Sequence, residues 1–178
     1  MSHSLKLLSL LADGRFRSGE FLGRELGLSR GAVWKQIQGL KNLGVECHSV
    51  KGKGYRLAAP LELLQPQSIL ASVDECARNL LPDIEIHQEI HSTNRHLMER
   101  LGALQCGHVC LAERQTAGRG RRGRPWVSPF GRNIYLSLYW QYSLSPSELS
   151  GLALAVGVAV AEALHALGVE GAALKWPN

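Results

Sequence analysis

The chain has 178 residues, of which 45% are hydrophobic and 20% are charged, a composition typical of one medium or two small globular domains. It excludes disordered, collagen-like and disulfide-scaffold proteins. No C-x-x-C pair occurs among the four cysteines, and the longest uncharged apolar run, 151–161, is too short for the roughly 20 residues that cross a bilayer. We therefore expect a soluble, untargeted protein that stays in the reducing cytoplasm and binds no membrane.

The net charge of +5 is unevenly distributed along the chain. Residues 1–14 are neutral, residues 15–56 carry +6, residues 57–112 carry −4 and residues 113–178 carry +3. Six arginines and no acidic residue lie from Arg114 to Arg132. Because clustered charge indicates an anionic partner, two basic regions separated by an acidic one predict two modules with different ligands.

Three short helices are predicted before residue 45. The first covers His3–Ala12. Ser18 can cap the second helix, and Gly27 ends it in the left-handed conformation that glycine tolerates. Ser29 can cap the third helix, which Gly44 ends. These signals predict a compact helical module at the start of the chain.

The second and third helices are predicted to form a helix-turn-helix, because only Gly-Leu-Ser connects them. In the third helix, Val33, Ile37 and Leu40 repeat at i, i+4 and i+7 and predict the buried face. The outward face is basic, as a reader of the DNA major groove requires. Ser29 also matches a Gly-x-Ser-x-Gly motif, but a helix precedes it, so we interpret it as a cap and not a nucleophile.

A basic hairpin is predicted directly after the third helix, at Val45–Leu57. Its turn, Lys-Gly-Lys-Gly, places two lysines at the tip, where the wing of a winged helix-turn-helix reaches phosphates. The alternative is an ordinary solvated charged face. The residues predicted to contact DNA are Arg30, Trp34, Lys35, Gln38, Lys41, Lys51 and Lys53.

The whole chain is predicted to be α+β. We place a winged helix-turn-helix domain at residues 1–60, a linker at 61–66 and part of a mixed β-sheet domain covered by helices at 67–178. Ser92 or Thr93 can cap a helix whose predicted core residues are Leu97, Met98, Leu101 and Leu104. The predicted strands are Ile84–Ile90, Val109–Ala112, Asn133–Trp140 and the start of one at Leu174–Trp176, and the last predicted helix is Ser147–Leu167, with a core stripe at 152–164.

A glycine-arginine segment joins two of these strands. Residues 118–123 match G-x-G-x-x-G, but prolines and a strand follow them, whereas a dinucleotide fingerprint opens a helix. The arginines supply planar, permanently charged donors for carboxylate or phosphate, and the glycines admit close approach. We expect a lid that is disordered when empty and orders around an anion. The alternative is a nonspecific segment for single-stranded nucleic acid.

Three short motifs lie in the second part of the chain: STN at Ser92–Asn94, QTAGRGRRGRPW at Gln115–Trp126, and KWPN at Lys175–Asn178. In their order and approximate spacing they resemble the bifunctional biotin protein ligase that is also the biotin operon repressor. The winged helix-turn-helix matches that family's repressor domain. The resemblance therefore extends over the whole chain.

This resemblance implies a two-step acyl transfer. Biotin and ATP, with Mg²⁺, form biotinyl-5'-adenylate, and biotin then passes to a lysine of the biotin carboxyl carrier protein of acetyl-CoA carboxylase. Operator DNA and a homodimer promoted by the adenylate are also implied. The alternative is a winged-helix regulator whose second domain only senses a small anionic metabolite. By resemblance, biotin is bound by Ser92, Thr93, Asn94, Gln115, Gly118, Arg119, Gly120, Arg121 and Trp126, and the catalytic residues are Arg119 and Arg121.

Two departures from the family pattern bear on activity. In the family an aspartate follows KWPN, and a later Lys-x-x-Gly motif and a small C-terminal β-domain complete the catalytic part, none of which lies within residues 1–178. We therefore expect an incomplete catalytic domain that is inactive on its own. His91 stands where an acid often precedes Ser-Thr-Asn, which leaves helix capping intact.

Histidines and cysteines also cluster in the predicted sheet. Cys106, His108 and Cys110 alternate along one strand, and His87 and His91 lie on its predicted neighbour. Zinc accepts such side chains, but these spacings differ from those of structural zinc sites. The sequence therefore favours ordinary sheet packing and predicts no metal ligand.

Overall fold

The computed structural model describes residues 3–145 and 147–175, apart from the side chain of Arg121. It confirms the α+β class, with a helix-turn-helix and a two-stranded wing preceding a mixed sheet with helices. The helices are α1 (His3–Leu11), α2 (Gly19–Leu26), α3 (Arg30–Leu40), α4 (Pro66–Ser72), α5 (Glu75–Asn79), α6 (Thr93–Met98) and α7 (Leu152–Ala166). The strands are β1 (Cys47–Val50), β2 (Gly54–Leu57), β3 (Ile84–His87), β4 (Val109–Ala112) and β5 (Tyr135–Leu138), and 3-10 turns occupy Lys41–Leu43, Leu101–Ala103, Arg121–Gly123 and Glu148–Gly151.

Helices α2 and α3 begin where the sequence predicts them, because serine caps satisfy their first backbone amides. Ser18 Oγ accepts a 3.0 Å hydrogen bond from Phe21 N, and Ser29 Oγ accepts a 3.3 Å hydrogen bond from Ala32 N. Gly27 ends α2 with a φ of 67°, in the left-handed region. The serine at position 29 is therefore a helix cap.

A leucine-rich core holds the N-terminal helices together. The predicted buried residues of α3 all belong to it, and β2 contributes Leu57. Reciprocal 2.8 Å backbone hydrogen bonds between Arg17 and Tyr55 attach the wing to the segment before α2. The fully buried side chains of this core include Leu7, Leu8, Leu11, Leu22, Val33 and Leu40.

Residues 58–83 contain more structure than the sequence predicts. Leu61, inside the predicted linker, is buried in the same core cluster as Phe130, and Leu64 N donates a 2.6 Å hydrogen bond to Glu113 Oε1. Helices α4 and α5 follow without a predicted counterpart. They have seven and five residues, which is too short to show a 3.6-residue period. The domain boundaries stay a prediction.

The three-stranded sheet has the order β3-β4-β5, with β3 parallel and β5 antiparallel to β4. This confirms the predicted mixed sheet, and β4 has its predicted bounds. β3 ends at His87 and not at Ile90, and β5 is shorter at both ends than predicted. The chain bends after His87, so that only an isolated bridge between Ile90 and Gln115 continues the pairing.

Two side chains predicted to lie in the core are exposed. Met98, the last residue of α6, is 58% exposed, and Leu101 in the following turn is 43% exposed. Leu97 is buried as predicted. The prediction assumed one longer helix with a single buried face. Because α6 ends at Met98, the residues after it no longer lie on that face.

A second unit begins at Gln141 and contains α7. The core prediction for residues 152–164 is wrong in this structure, because no residue of α7 is buried. Its sequence is apolar on every side, a pattern typical of a helix covered by other elements. By length and composition alone, Glu148–Ala166 could also cross a membrane, with a mean hydropathy of 1.7, a test that core helices of soluble proteins pass too. Leu174 and Lys175 form no strand, and Trp176, Pro177 and Asn178 lie outside the described residues.

Candidate functional site

A cavity of 580 Å³ lies at the end of the sheet, and its volume is within the range typical of small-molecule sites. Its lining comes from the start of α6, the segment after β4, and β5 with the residue before it. Gly120 is not among the lining residues, and the side chain of Arg121 lies outside the described residues. The predicted biotin-binding residues that line the cavity are Ser92, Thr93, Asn94, Gln115, Gly118, Arg119 and Trp126.

The polar end of this pocket is a hydrogen-bond network centred on buried Thr93. Gln115 Oε1 accepts from Thr93 N at 2.8 Å and from Thr93 Oγ1 at 3.2 Å, and Ser137 Oγ lies 2.8 Å from Thr93 Oγ1. The segments after parallel β3 and β4 bring Thr93 and Gln115 together at one sheet edge, as in many α/β ligand sites. Because its oxygen is occupied, Gln115 offers a ligand its amide nitrogen as a donor.

Further hydrogen bonds hold the residues of this network in place. Ser92 caps α6 by accepting a 3.4 Å hydrogen bond from Arg95 N, which identifies Ser92 as the cap residue. Gln115 N donates to Ser128 Oγ at 2.7 Å, and Thr116 N donates to Ile90 O at 2.9 Å. These bonds fix the backbone on both sides of the pocket, so the polar groups are positioned before a ligand enters.

The remaining lining is largely apolar, with Trp126, Ile134, Leu136 and Met98. Gly118 is required where it stands, because a Cβ there would lie 2.2 Å from Trp126 Cδ1. Close approach between this backbone and the indole ring shapes one wall of the cavity. A pocket with one polar end and apolar walls suits a ligand with a compact polar head and a hydrocarbon part.

The glycine-arginine segment forms a turn beside the pocket. Gly120 N donates a 3.2 Å hydrogen bond to Arg124 O, and Arg122 adopts a left-handed backbone with a φ of 57°. A non-glycine residue held in this region is strained, a feature that concentrates at functional loops. Ordering of this segment on ligand binding stays a prediction.

The pocket is electropositive. Its described lining contains Arg95 and Arg119 and no acidic residue. Arg95 is neutralised by Glu99, whose Oε1 lies 2.7 Å from Arg95 Nε. Among the described residues Arg119 has no ion-pair partner, so it is the cation that this lining offers to an anionic ligand.

The residues predicted to contact DNA lie mainly on the surface of the helix-turn-helix and wing. Trp34 and Lys35 of α3, together with Lys41, are exposed, as are both wing lysines, while Gln38 is half-buried. Arg30 is exposed but pairs with Glu20 at 3.0 Å. The opposite side of α3 supplies the core, so its outward face remains available to a partner.

Several pocket residues were missed from the sequence. Ser137 lies on a strand between apolar neighbours, and a polar side chain there is a usable signal for a lined cavity. Arg95 and Met98 follow the Ser-Thr-Asn motif on α6 and line the pocket. Ile134 and Leu136 have no signal that separates pocket wall from core.

The fold and the pocket together define a class: a helix-turn-helix protein with a cationic small-molecule site in an α+β domain. Comparison with protein families agrees. The biotin/lipoate A/B protein ligase family matches residues 87–178, just over half of the chain, and an HTH domain matches residues 3–56. The chain belongs to the biotin/lipoate A/B protein ligase family.

Two similar proteins have names that include both a ligase and a repressor. The chain is 48% identical over 174 residues to the bifunctional ligase/repressor BirA of Escherichia coli (strain K12). This match covers 98% of this chain and 52% of that protein. It is 33% identical over 172 residues to BirA of Bacillus subtilis (strain 168), covering 94% and 51%. The chain thus spans about half the length of the curated relatives it matches. A biotin protein ligase from Aquifex aeolicus, solved in complex with biotin and ATP, is 37% identical with a TM-score of 0.46, over 55% of this chain and 40% of that one.

Proposed function

We propose that this chain is part of an ATP-dependent biotin protein ligase that is also a biotin-responsive transcription repressor. One observation carries the ligase half: a cationic pocket with the Thr93–Gln115 network at its polar end and apolar walls, in a chain of this ligase family. Biotin has a polar ureido ring, an apolar ring and chain, and a carboxylate. The ureido ring takes the polar end, and Arg119 faces the carboxylate.

In the first step, a carboxylate oxygen of biotin attacks the α-phosphorus of ATP. The bond from that phosphorus to the bridging oxygen of the β-phosphate breaks, and pyrophosphate leaves. Both reactants are anionic, so their approach is opposed by charge repulsion. Arg119 lowers that barrier because a preformed cation in the lining stabilises the charge that develops between them.

In the second step, the amine of a carrier-protein lysine attacks the acyl carbon of biotinyl-5'-adenylate. The bond from this carbon to the phosphate oxygen breaks, AMP leaves, and the amine loses a proton to solvent. The mixed anhydride is hydrolytically labile, so water must be excluded before the lysine arrives. We assign this task to the glycine-arginine segment, residues 118–124, as a lid. No side chain acts as a nucleophile, and catalysis consists of positioning and electrostatics.

Mg²⁺ stays a prediction. Magnesium takes oxygen ligands, carboxylates above all, and the described pocket lining contains no aspartate or glutamate. The residues of this lining therefore do not form a magnesium site, and neither step above depends on one.

The repressor half rests on the helix-turn-helix match at residues 3–56 and on its exposed basic face. Lys35 and Gln38 on α3 read base edges in the major groove, and the wing lysines contact phosphates. Operator DNA, a homodimer promoted by the adenylate and cytoplasmic residence belong to the same proposal.

The deciding experiment is transfer of radiolabelled biotin to a biotin carboxyl carrier protein by the full-length gene product. We expect ATP-dependent labelling that Gln115→Ala reduces by about 100-fold, since a positioning residue for a buried polar ligand is lost. Gln105→Ala is the matched control, because Gln105 is an exposed glutamine outside the pocket.

The second candidate is a winged-helix regulator whose other domain only senses a small anionic metabolite, favoured by the cationic lining. It predicts ligand binding without labelling of the carrier at any enzyme concentration. That outcome, with intact biotin binding in the same preparation, would contradict the ligase. Labelling that Gln115→Ala leaves unchanged would contradict the pocket assignment.

A further inference from the structure

Four metal-ligating side chains meet outside the ligand pocket. Glu85 and His87 lie two apart on β3 and therefore share a face of the sheet, and Cys110 of β4 is the register partner of Glu85. His96 reaches the same place from α6. One ligand atom from each residue lies within 4.8 Å of all the others. The sequence pointed to His87 and Cys110, but it offered no reason to add a histidine from a helix or this glutamate.

Glu85 is the charged centre of the cluster. Burial opposes its ionisation, but hydrogen bonds with His108, Arg100 and His96 outweigh burial and lower the pKa of Glu85 to about 2. His108 Nε2 and Arg100 Nη1 lie 3.2 and 3.0 Å from Glu85 Oε1. Asp83, 3.9 Å from His108, is the other acid that faces this group. A carboxylate oxygen of Glu85 thus lies among the other ligand atoms of the cluster.

The two cluster histidines present ring nitrogens toward this carboxylate. His87 Nε2 is buried without a hydrogen-bond partner among the described residues, with Glu85 Oε2 at 3.5 Å. His96 Nε2 lies 2.7 Å from Arg100 Nη1. His96 Nε2 also lies 3.0 Å from Glu85 Oε1. Because a carboxylate can only accept and an arginine can only donate, this one nitrogen cannot satisfy both neighbours. Buried polar atoms without partners are rare in proteins and indicate a missing ligand or function.

The fourth ligand is a fully buried thiol. Cys110 is 0% exposed, and burial, with the adjacent Glu85 charge, raises the pKa of Cys110 to about 12. A thiol in this setting is inert as a redox group, because the thiolate is the reactive form. A bound cation reverses that preference, since metal coordination deprotonates thiols outright.

We propose that Glu85, His87, His96 and Cys110 bind one divalent transition-metal ion, which is zinc under cellular conditions. Their oxygen, two nitrogens and sulfur match the borderline-soft preference of zinc for four mixed ligands. Zinc bonds of about 2.0–2.3 Å place tetrahedral ligand atoms about 3.5 Å apart, so the cluster contracts by roughly 1 Å. Arg100, whose side chain is 41% exposed, leaves the carboxylate and turns to solvent.

Such a site joins three elements: β3, β4 and α6. Helix α6 starts with Thr93 at the polar end of the ligand pocket. The metal thereby fixes the helix that carries the pocket wall. This role is structural, and it does not depend on the ligase activity proposed above.

The test is metal binding by the full-length protein, stripped with a chelator and reloaded with Zn²⁺ or Co²⁺. We expect close to one metal per chain, and with Co²⁺ the near-ultraviolet charge-transfer band of a cobalt–thiolate bond. Cys110→Ser should abolish the band and weaken the affinity by more than the roughly 100-fold that outer-shell changes reach. Cys106→Ser, which replaces an exposed cysteine outside the cluster, should change neither.

A second variant, His96→Gln, tests the same site if the buried Cys110→Ser variant does not fold. It should lose metal but retain the thermal unfolding temperature of the stripped protein. Arg100→Gln should instead tighten zinc binding, because the competing guanidinium is removed. Failure of the reloaded protein to bind metal, or stoichiometric binding that survives His96→Gln, would overturn the site.

Discussion

The helical region, residues 3–64, and the sheet region, residues 84–140, bury different kinds of side chain. The core of the helices is apolar, with leucine as its commonest residue. The buried polar or charged residues found in the described part of the chain, Thr93, His108 and Glu113, all lie in the sheet region. Burial of a polar group costs free energy unless it is hydrogen-bonded, so such groups persist where they have a task.

This difference separates two ways of carrying function. The helical region has an apolar interior that stabilises it and a charged exterior that we propose binds DNA. Part of the interior of the sheet region is polar instead. It contains the hydrogen-bond network around Thr93 and the cluster of possible metal ligands around Glu85. Substitutions in the two interiors should therefore damage different properties.

The largest expected effect is in the helical core. Leu22→Ala should lower the free energy of unfolding of this region by about 2–5 kcal/mol, since Leu22 is fully buried and a cavity remains. Hydrogen exchange of the α1–α3 amides measures this directly, with exposed Leu80→Ala as the control. A similar loss of protection in both variants would show that this core does not carry the stability of the region.

The next effect separates the two basic surfaces. Arg119→Ala should weaken retention of biotinyl-5'-adenylate by about 100-fold, the loss typical when one donor to a developing charge is removed. Because the same substitution also slows adenylate formation, retention is measured directly, as the dissociation of preformed radiolabelled biotinyl-5'-adenylate from the full-length protein. DNA affinity measured in the absence of biotin should not change. Equal damage to adenylate retention and DNA affinity would contradict separate surfaces.

The helical region could be predicted from the sequence almost completely. Its signals are local: the Ser18 and Ser29 caps, the Gly27 stop, and the period of Val33, Ile37 and Leu40. Each needs only neighbours within one or two helical turns. The wing was predicted for the same reason, because a glycine turn between two short apolar runs is also local.

The sheet region could be predicted only in part. Motifs identified Thr93 and Gln115, but Ser137 joins them across 44 residues, and no local pattern contains that contact. The metal-ligand cluster likewise combines β3, β4 and α6, and it depends on where α6 ends. Met98 was assigned to the core because its helix was predicted too long. Contacts between residues far apart in the sequence are set by the tertiary structure, so sequence periodicity predicts them poorly.

A buried carboxyl group should make the stability of the sheet region depend on pH. Burial raises the pKa of Glu113, although the hydrogen bond from Leu64 N partly opposes this rise. The folded state thus favours the protonated form, so stability declines as pH rises from about 4.3, the ordinary glutamate pKa, through the folded-state pKa.

Glu113→Gln removes that decline and keeps an oxygen to accept from Leu64 N. Relative to the unsubstituted protein, it should gain on the order of 1 kcal/mol at neutral pH and little at pH 4, the size typical of a changed hydrogen bond. Thermal unfolding at several pH values measures the difference. Glu62→Gln, at an exposed glutamate in the same part of the chain, is the control. A gain of equal size at both pH values would exclude the titration of Glu113 as its cause.

The smallest expected effect concerns the wing. Lys51 is exposed at the tip of the hairpin between β1 and β2, so we expect it to contact a phosphate and no base. Lys51→Ala should weaken binding to operator and unrelated DNA by the same few-fold factor, and should reduce the slope of log affinity against log salt concentration by about 0.9. Fluorescence anisotropy over a salt series gives both quantities. Gln38→Ala provides the contrast, because loss of a base contact should weaken operator binding selectively and leave the slope unchanged. If Lys51→Ala instead weakened only operator binding, the wing would be a base reader, and the division between a recognition helix and a phosphate-binding wing would be wrong.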